Sequence, residues 1–432
     1  MKKIKNGKFI FIKKNNMRYI ADFHIHSKYS RATSSQMDFE YLNLWAKFKG
    51  IQILGTGDFT HPTWLKEIKE KLEPLGNGLF KIKSEKNPSV YFILTTEISC
   101  VYNKNNKVRK IHLLIFLPDL SSVEKFNAQL SWSANLKADG RATVGLEAKE
   151  ILKIVLSISP YGLVVPAHIW TPWYSLFGSK SGFDSIEECF EEYSKYIFAG
   201  ETGLSSDPSM NWRLSSLDRI TLISCSDSHS PQNLGREATV FDFEDVSYQK
   251  IIETIKRKDK NHLKYTIEFF PEEGKYYFDG HRNCQVSFSP SETRKRAGIC
   301  PVCGKELTIG VLHRVEKLAD REENFIPENA IPFKSLIPLS EIIAEVLGVE
   351  KNSKLVENEY FNLIKRGGNE FKILLDLDED ELKKIASEKI VEGIVKMRNG
   401  EVKKIPGYDG VYGKISVLRD LEKKESKQGT LF

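Results

Sequence analysis

Residues 19–30 read Tyr-Ile-Ala-Asp-Phe-His-Ile-His-Ser-Lys-Tyr-Ser, an apolar run that opens at Tyr19–Ala21 and ends in His24-Ile25-His26. In an extended segment, side chains two apart share a face, so both imidazoles point to one side just beyond a strand. The arrangement recurs. Apolar runs at Ile51–Leu54, Tyr91–Thr95, Ile111–Leu117, Leu163–Val165, Tyr196–Phe198 and Ile220–Ile223 are accompanied by Asp58, Glu97, His112, His168, Glu201 and Asp227-Ser228-His229. Between these strand candidates, Phe39–Lys49, Thr63–Leu72, Ala148–Ile158 and Asp184–Tyr193 read as amphipathic helices. Alternation of this kind predicts an α/β fold, a (βα) barrel, whose C-terminal strand ends converge and bring distant residues into one pocket. Imidazole and carboxylate mixed there suit Zn, Mn or Fe. A bridging carboxylate would hold two such ions about 3.5–4 Å apart.

His112 lies at the start of its run rather than the end, and a hairpin accounts for it. Thr95–Tyr102 and Lys107–Leu114 flank Asn103-Lys104-Asn105-Asn106, a turn-forming tetrapeptide. A turn centred on these four residues puts Glu97 directly opposite His112, so both could ligate one ion.

The composition describes an ordinary folded chain: 432 residues, 41% hydrophobic and 28% charged, long enough for two or three domains. No stretch of eighteen or more uncharged apolar residues occurs, and the N-terminus lacks a secretory apolar core, so a cytoplasmic protein without a membrane segment is expected. The formal net charge is +6, but residues 1–18 alone contribute +7, so any basic DNA footprint on the remainder must be local.

These motifs resemble those of a known family. FHIHSKYS, the acid in GTGDFT, then TTEIS, HLLIF, PAHIW and SCSDSHS, in this order across residues 19–242, are similar to the motifs of PHP-domain metallophosphoesterases. IWTPWYSLFGSKSGFDSIEECF (169–190), GLSSDPSMNWRLSSLDRITLIS (203–224), LGREA (234–238) and GICPVCGKELTIGVLHRVEKLADR (298–321) further resemble the endonuclease Q branch, over nearly all of the chain after Met17. The resemblance implies a distorted seven-stranded (βα) PHP barrel. It also implies incision of DNA on the 5′ side of deaminated bases (hypoxanthine, uracil, xanthine) and abasic sites, with the target base flipped out. A PHP-type phosphatase or phosphodiesterase of small phosphate esters is the alternative.

Carried over by position, the resemblance makes His24, His26, Glu97 and Asp227 the ligands of one ion, with Glu97 bridging to a second held by His112 and His168. Asp58 and His229 fall to a third position or its surroundings, so two or three divalent ions (Zn, Mn or Mg) are expected. Asp227, Glu97 and His229 are the expected catalytic residues. The chain departs from the common pattern in having Asp58-Phe59 where most members have Asp-His, with His61 a possible substitute. Two or three ions in such a pocket acidify a bound water toward a pKa of ~7, which supplies hydroxide for attack on phosphorus without a covalent nucleophile.

The loop after the fifth run concentrates Trp170, Trp173, Tyr174 and Phe177 ahead of Gly178-Ser179-Lys180. Beside a metal site such aromatics suit stacking on an extruded base, with Ser179, Lys180 and Arg236 as further substrate contacts; a hydrophobic lid is the other interpretation.

Beyond residue 262 the pattern changes. His281-Arg282-Asn283-Cys284, followed fifteen residues later by Cys300-Pro301-Val302-Cys303, has the spacing of a tetrahedral structural zinc site. His281 or His313 would be the fourth ligand beside Cys284, Cys300 and Cys303. Helices are expected at Leu339–Leu347, Lys354–Lys365 and Glu379–Met397. Arg398, Lys403, Lys404, Gly407, Gly410, Gly413 and Lys414 could then grip a DNA backbone. The predicted layout is a basic arm (1–16), a PHP catalytic domain (17–262), a zinc module (263–322), a helical DNA-binding domain (323–415) and a tail (416–432). Gln428-Gly429-Thr430-Leu431-Phe432 in that tail resembles a truncated sliding-clamp-binding motif. The expected partners are lesion-bearing DNA and, through the tail, a sliding clamp, with the protein itself a monomer.

Overall fold

The structure is a computed structural model that describes residues 2–5, 8–11 and 16–418. The clamp-motif tail at 428–432 lies outside the described residues, as does part of the basic arm. Lys2–Lys5 and Lys8–Phe11 form an antiparallel strand pair.

The barrel strands are β1 (Met17–Asp22), β2 (Ile53–Gly55), β3 (Tyr91–Ile93), β4 (Thr95–Lys104), β5 (Lys107–Phe116), β6 (Leu163–Pro166), β7 (Ala199–Glu201) and β8 (Thr221–Ile223). β1, β2 and β3 pair in parallel. β3 leads through Leu94 alone into β4, so these two segments form one interrupted strand and seven positions run round the barrel. β4 and β5 form an antiparallel hairpin, β6 is antiparallel to β5, and β7 pairs in parallel with β8. β6 lies against β7, and a parallel bridge between Ile25 and Ser228 closes the ring. The reversed strand β5 is what distorts the (βα) pattern. β9 (Ala238–Phe243) pairs antiparallel with β1, and β10 (Leu263–Glu268) with β9, extending the sheet on one side.

Helices fall where amphipathic spacing puts them. Asp38 caps Phe39–Lys49 by accepting from Tyr41 N–H, and Gly50 ends it in the left-handed conformation at φ 87°. Phe39 stacks on Trp64 of Pro62–Lys71 at 4.3 Å, which docks both helices on the sheet. Ala148–Ile158 spans the expected residues. Asp184–Tyr193 differs: it resolves into a short α-helix, Ile186–Phe190, and a 3₁₀ turn, Glu191–Tyr196. The strand expected at Tyr196–Phe198 is displaced to Ala199–Glu201.

The described residues divide into two compact units. One comprises the residues up to Gly203 with Pro208–Glu268 and Leu318–Lys334, and the other comprises Leu204–Asp207, Phe269–Lys317 and the residues from Ser335. The barrel sheet therefore continues past residue 262, because β10 completes the ladder with β9. Leu318–Lys334 return to the barrel unit, where Arg321 pairs with Asp218 through Nη1 at 2.8 Å. The expected zinc module and helical domain share the second unit.

Within that second unit the helices are Leu339–Leu347, Lys354–Gly367, Glu379–Lys383 and Glu388–Arg398. The expected Glu379–Met397 helix is broken at 384–387, and Ser387 starts a new one. Of the residues expected to grip a DNA backbone, Lys403, Lys404 and Lys414 are exposed, whereas the glycine amides and Arg398 are engaged within the fold. The amides of Gly407 and Gly413 donate to the carbonyls of Glu272 and Glu273, and Gly410 N–H donates to Lys275 O. Arg398 donates to the carbonyls of Ile373, Leu374 and Leu377 at 2.7–2.8 Å. These donors hold the fold together. Among the described residues, no helix is long and apolar enough to cross a membrane.

Candidate metal centre

The strand ends assemble two groups of ligand atoms that share one carboxylate. In the first, His26 Nε2 lies 3.3 Å from Glu97 Oε2 and 3.1 Å from Asp227 Oδ1, and His24 Nε2 lies 3.6 and 3.7 Å from the same two atoms. In the second, Glu97 Oε1 faces His112 Nδ1 at 2.6 Å and His168 Nε2 at 3.2 Å, and the two imidazole nitrogens are 3.1 Å apart. Within each group the candidate ligand atoms all lie within 4.8 Å of one another.

The hairpin that supplies Glu97 and His112 has a register two residues away from the expected one. Its turn is the pair Asn105-Asn106, both at positive φ (54° and 57°), rather than a four-residue loop. Lys104 therefore pairs with Lys107, Ser99 opposes His112, and Glu97 opposes Leu114. Glu97 and His112 are diagonal neighbours. A slip of two preserves the face of each side chain, whereas a slip of one would have turned His112 away from the site.

The remaining acids orient the imidazoles. Glu201 ends β7, lies 2.9 Å from His24 Nδ1 through Oε1 and accepts from the His168 N–H at 2.8 Å. Sequence reasoning noted this glutamate as a strand-end acid but missed it as a site residue. Asp58, expected as a metal ligand or neighbour of a third ion, lies outside both groups. Its Oδ1 is 3.0 Å from His26 Nδ1, and its Oδ2 accepts from Ser27 N, Ser27 Oγ and Ser30 Oγ at 2.6–2.9 Å. With both Nδ1 atoms engaged, each Nε2 can turn its lone pair inward. His229 also lies outside the groups, at the rim, with Nδ1 2.9 Å from the Asp227 carbonyl. His61 stacks on Tyr29 at 4.6 Å and is not among the converging residues. Arg141 Nη1 donates to Glu97 Oε2 at 3.1 Å; it follows Asp139-Gly140 in a loop with no motif to mark it.

Three of these residues hold backbone conformations that side chains disfavour: Asp58 at φ 45°, His168 at 30° and Asp227 at 47°. Each costs about 1–3 kcal/mol, and such strain clusters at functional sites.

The residues fit divalent cations. His24 Nε2, His26 Nε2 and Asp227 Oδ1 are buried atoms with no hydrogen-bond partner, although all three point into the same space. Burial opposes ionisation throughout the cluster. Yet Glu201, Glu97 and Asp227 raise the pKa of His24 well above its usual value, and Asp58, Asp227 and Glu97 do the same for His26. Glu97 is held well below the usual carboxylate range by His112, Arg141 and His24, and Asp227 likewise by His24 and His26. Burial takes His112 down to about 4, leaving a neutral imidazole suited to coordination. The carboxylates that raise these imidazole pKa values equally favour a metal cation in place of the protons, and a shared carboxylate suits a two-ion site.

The aromatic loop separates into core and surface. Trp170 is buried, donates Nε1–H to Asn211 Oδ1 at 2.7 Å and packs on buried Phe177 at 4.8 Å. Neither is exposed for stacking on a base, because the loop needs a core of its own. Trp173 is 38% exposed and Lys180 is exposed. Ser179 is half-buried, and the Tyr174 ring lies 4.7 Å from His112. Arg236 donates to the Ser226 carbonyl at 2.9 Å, bracing the turn that carries Asp227.

In the second unit, His281, Cys284, Cys300 and Cys303 converge, with Cys303 Sγ 3.5 Å from His281 Nδ1. Gly304 at φ 71° donates to the Cys300 carbonyl and closes the turn. Burial raises the Cys300 thiol pKa, but the Cys303 and Val302 amides outweigh it and bring the value to about 6, favouring thiolate. His313 is engaged elsewhere, 2.6 Å from buried Asp279. The donor set fits one tetrahedral zinc.

Residues 338–401 match a domain family described as the MJ0043 C-terminal domain. An uncharacterized protein of Methanocaldococcus jannaschii, MJ0043, is 35% identical over 254 residues; the match covers 57% of this chain and spans only 31% of that protein's length. An uncharacterized protein of Bacillus subtilis, YqxK, is 28% identical over 415 residues, covering 91% of this chain and 98% of the relative. The lesion-specific endonuclease PfuEndoQ of Pyrococcus furiosus superposes with a TM-score of 0.83 at 30% identity, covering 96% of this chain and 100% of that one. An endonuclease Q in complex with a 27-mer duplex bearing an abasic lesion at its active site gives a TM-score of 0.82 at 31% identity, covering 94% and 99%. With similarity extending over both units at this identity, the chain belongs to the endonuclease Q family.

Proposed function

We propose that this protein is a DNA repair endonuclease that hydrolyses the phosphodiester 5′ to deaminated bases and abasic sites. The observation that carries the proposal is Glu97, whose two oxygens each face one group of inward-pointing imidazoles. Divalent ions bound there neutralise phosphate charge and acidify water, so that hydroxide is available near neutral pH. Glu201 and Asp58 hold His24 and His26 in the tautomer and orientation that keep this geometry fixed before substrate arrives. Attack of water oxygen on phosphorus, with departure of the upstream 3′ oxygen, leaves a 3′-hydroxyl and a 5′-phosphate on the lesion nucleotide. Tyr174 beside His112 and the exposed Trp173 offer aromatic faces next to the reacting phosphate, where a flipped base would stack. The complex of a related endonuclease Q with an abasic duplex supports the substrate class. The Cys/His cluster takes a structural role in the second unit.

The test is incubation of end-labelled duplexes containing uracil, hypoxanthine, xanthine or an abasic site with protein and Mg²⁺, Mn²⁺ or Zn²⁺. Incision 5′ to the lesion with a 3′-hydroxyl end is expected. Release of free base or a 3′-phosphate would sink the mechanism, and cleavage of small phosphate esters alone would make the protein a phosphatase.

A further inference from the structure

Three partly exposed side chains stand at the mouth of the metal centre, Asp227 (29%), His229 (31%) and Arg141 (28%), while His24, His26 and Glu97 lie fully buried. Among the described residues, five side chains bring a nitrogen within 3.6 Å of the Glu97 carboxylate. Four are imidazoles that can give a lone pair to a metal. Arg141 cannot, since a guanidinium has five N–H donors and no acceptor. It needs a different role.

The backbone is constructed to bring it there. Gly140 N–H donates to the Tyr29 carbonyl at 3.0 Å, Thr60 Oγ1 donates to Gly140 O at 3.2 Å, and Arg141 N–H donates to Ser30 Oγ at 3.1 Å. A Cβ on residue 140 would come within 2.3 Å of Asp58 Oδ2 and 2.4 Å of Ser30 Oγ, so only glycine permits this approach. Ser30 and Asp58, which orient His26, therefore also seat Arg141. Its position is coupled to that of the ligands.

We propose that Arg141 is the phosphate-binding arm of the site: it keeps Nη1 on Glu97 and presents its outward N–H groups to a non-bridging oxygen of the scissile phosphodiester. The proposal rests on the nuclease assignment above. A guanidinium fork matches phosphate geometry and keeps its charge at every working pH. Seated at the mouth beside the carboxylate common to both ligand groups, it stabilises the charge that develops on the phosphoryl oxygens.

The experiment compares wild type, Arg141→Met and Arg141→Lys, each with Mn²⁺, on a lesion duplex whose scissile linkage is an ordinary phosphodiester or either phosphorothioate diastereomer. Arg141→Met is expected to lower the single-turnover rate by about 10²-fold or more. Arg141→Lys should recover only part of it. Mn²⁺ affinity measured by calorimetry should be unchanged. One diastereomer should slow the wild type and slow Arg141→Met no further. The proposal is overturned if Mn²⁺ affinity falls in step with the rate, which would make Arg141 a brace for Glu97. It is also overturned if the wild type ignores both diastereomers, or if both slow the variant as much as the wild type. If Mn²⁺-loaded wild type cuts no lesion duplex, the nuclease assignment fails, and inorganic phosphate binding decides the arm separately. An affinity about tenfold weaker in Arg141→Met supports it, and equal affinity overturns it.

Discussion

The barrel centre and the Cys/His cluster are both candidate metal sites, but they are built in opposite ways. The cluster draws its four residues from a span of 23, around a small core of Val286, Cys300 and Leu307. The barrel centre takes ligands from positions 24 to 227 and surrounds them with orienting carboxylates, a guanidinium and three strained backbone positions. In the cluster, metal would supply most of the local stability. In the barrel, hydrogen bonds from other segments orient the ligands, and burial of charge is balanced by neighbouring groups.

The contrast is broken most directly by His26→Ala or Asp227→Ala. Each should abolish incision while one equivalent of zinc remains in the purified protein. Wild-type cutting by either variant would show that the ligand groups are misassigned. Cys300→Ser should do the converse. It should release that zinc and raise hydrogen exchange between residues 279 and 310, while Mn²⁺ binding by the barrel persists; unchanged protection across the segment would show a fold independent of metal.

A smaller effect comes from the carboxylates behind the imidazoles. Glu201→Gln and Asp58→Asn should weaken Mn²⁺ binding by about 10–100-fold, as is typical when an outer-shell partner is lost. Full affinity in both would mean that the imidazoles are positioned by packing alone. Smallest in its effect on cutting is the aromatic loop. Trp173→Ala should cost about 1–3 kcal/mol in lesion-strand cleavage with little change in thermal stability. Phe177→Ala should instead lower stability by about 3–5 kcal/mol, since a buried ring leaves a cavity. Equal and purely catalytic losses from both would restore Phe177 as a stacking residue.

Much of this was legible along the chain because it depends on local rules. The helices Phe39–Lys49, Ala148–Ile158 and Leu339–Leu347 follow from amphipathic spacing and fall on the expected residues. The His-x-His after β1 follows from period two, whereas the Asp-x-His after β8 departs from it, with Asp227 at φ 47° and His229 outside the ligand groups. The cysteine spacing gives a metal-site signature because all its residues are close in sequence. Less local features were displaced. The β4–β5 register depended on which residues of the Asn-rich turn took positive φ, and Glu379–Met397 divides into Glu379–Lys383 and Glu388–Arg398.

The sequence by itself determined the inventory: a parallel-strand pattern, acids and histidines at strand ends, and a spaced Cys/His set. Composition, period and spacing are properties of a linear chain. Tertiary structure alone decided which of those residues touch. It put Asp58 behind His26 instead of in the ligand group, recruited Glu201 and the unmarked Arg141, and buried Trp170 and Phe177 while leaving Trp173 outside. Those outcomes depend on ring closure by the Ile25–Ser228 bridge and on hydrogen bonds between segments distant in sequence, as between Ser226 N–H and Asp22, 204 positions apart. A buried carboxylate acquires its role from the donors that reach it, and only the closed barrel brings those donors within reach.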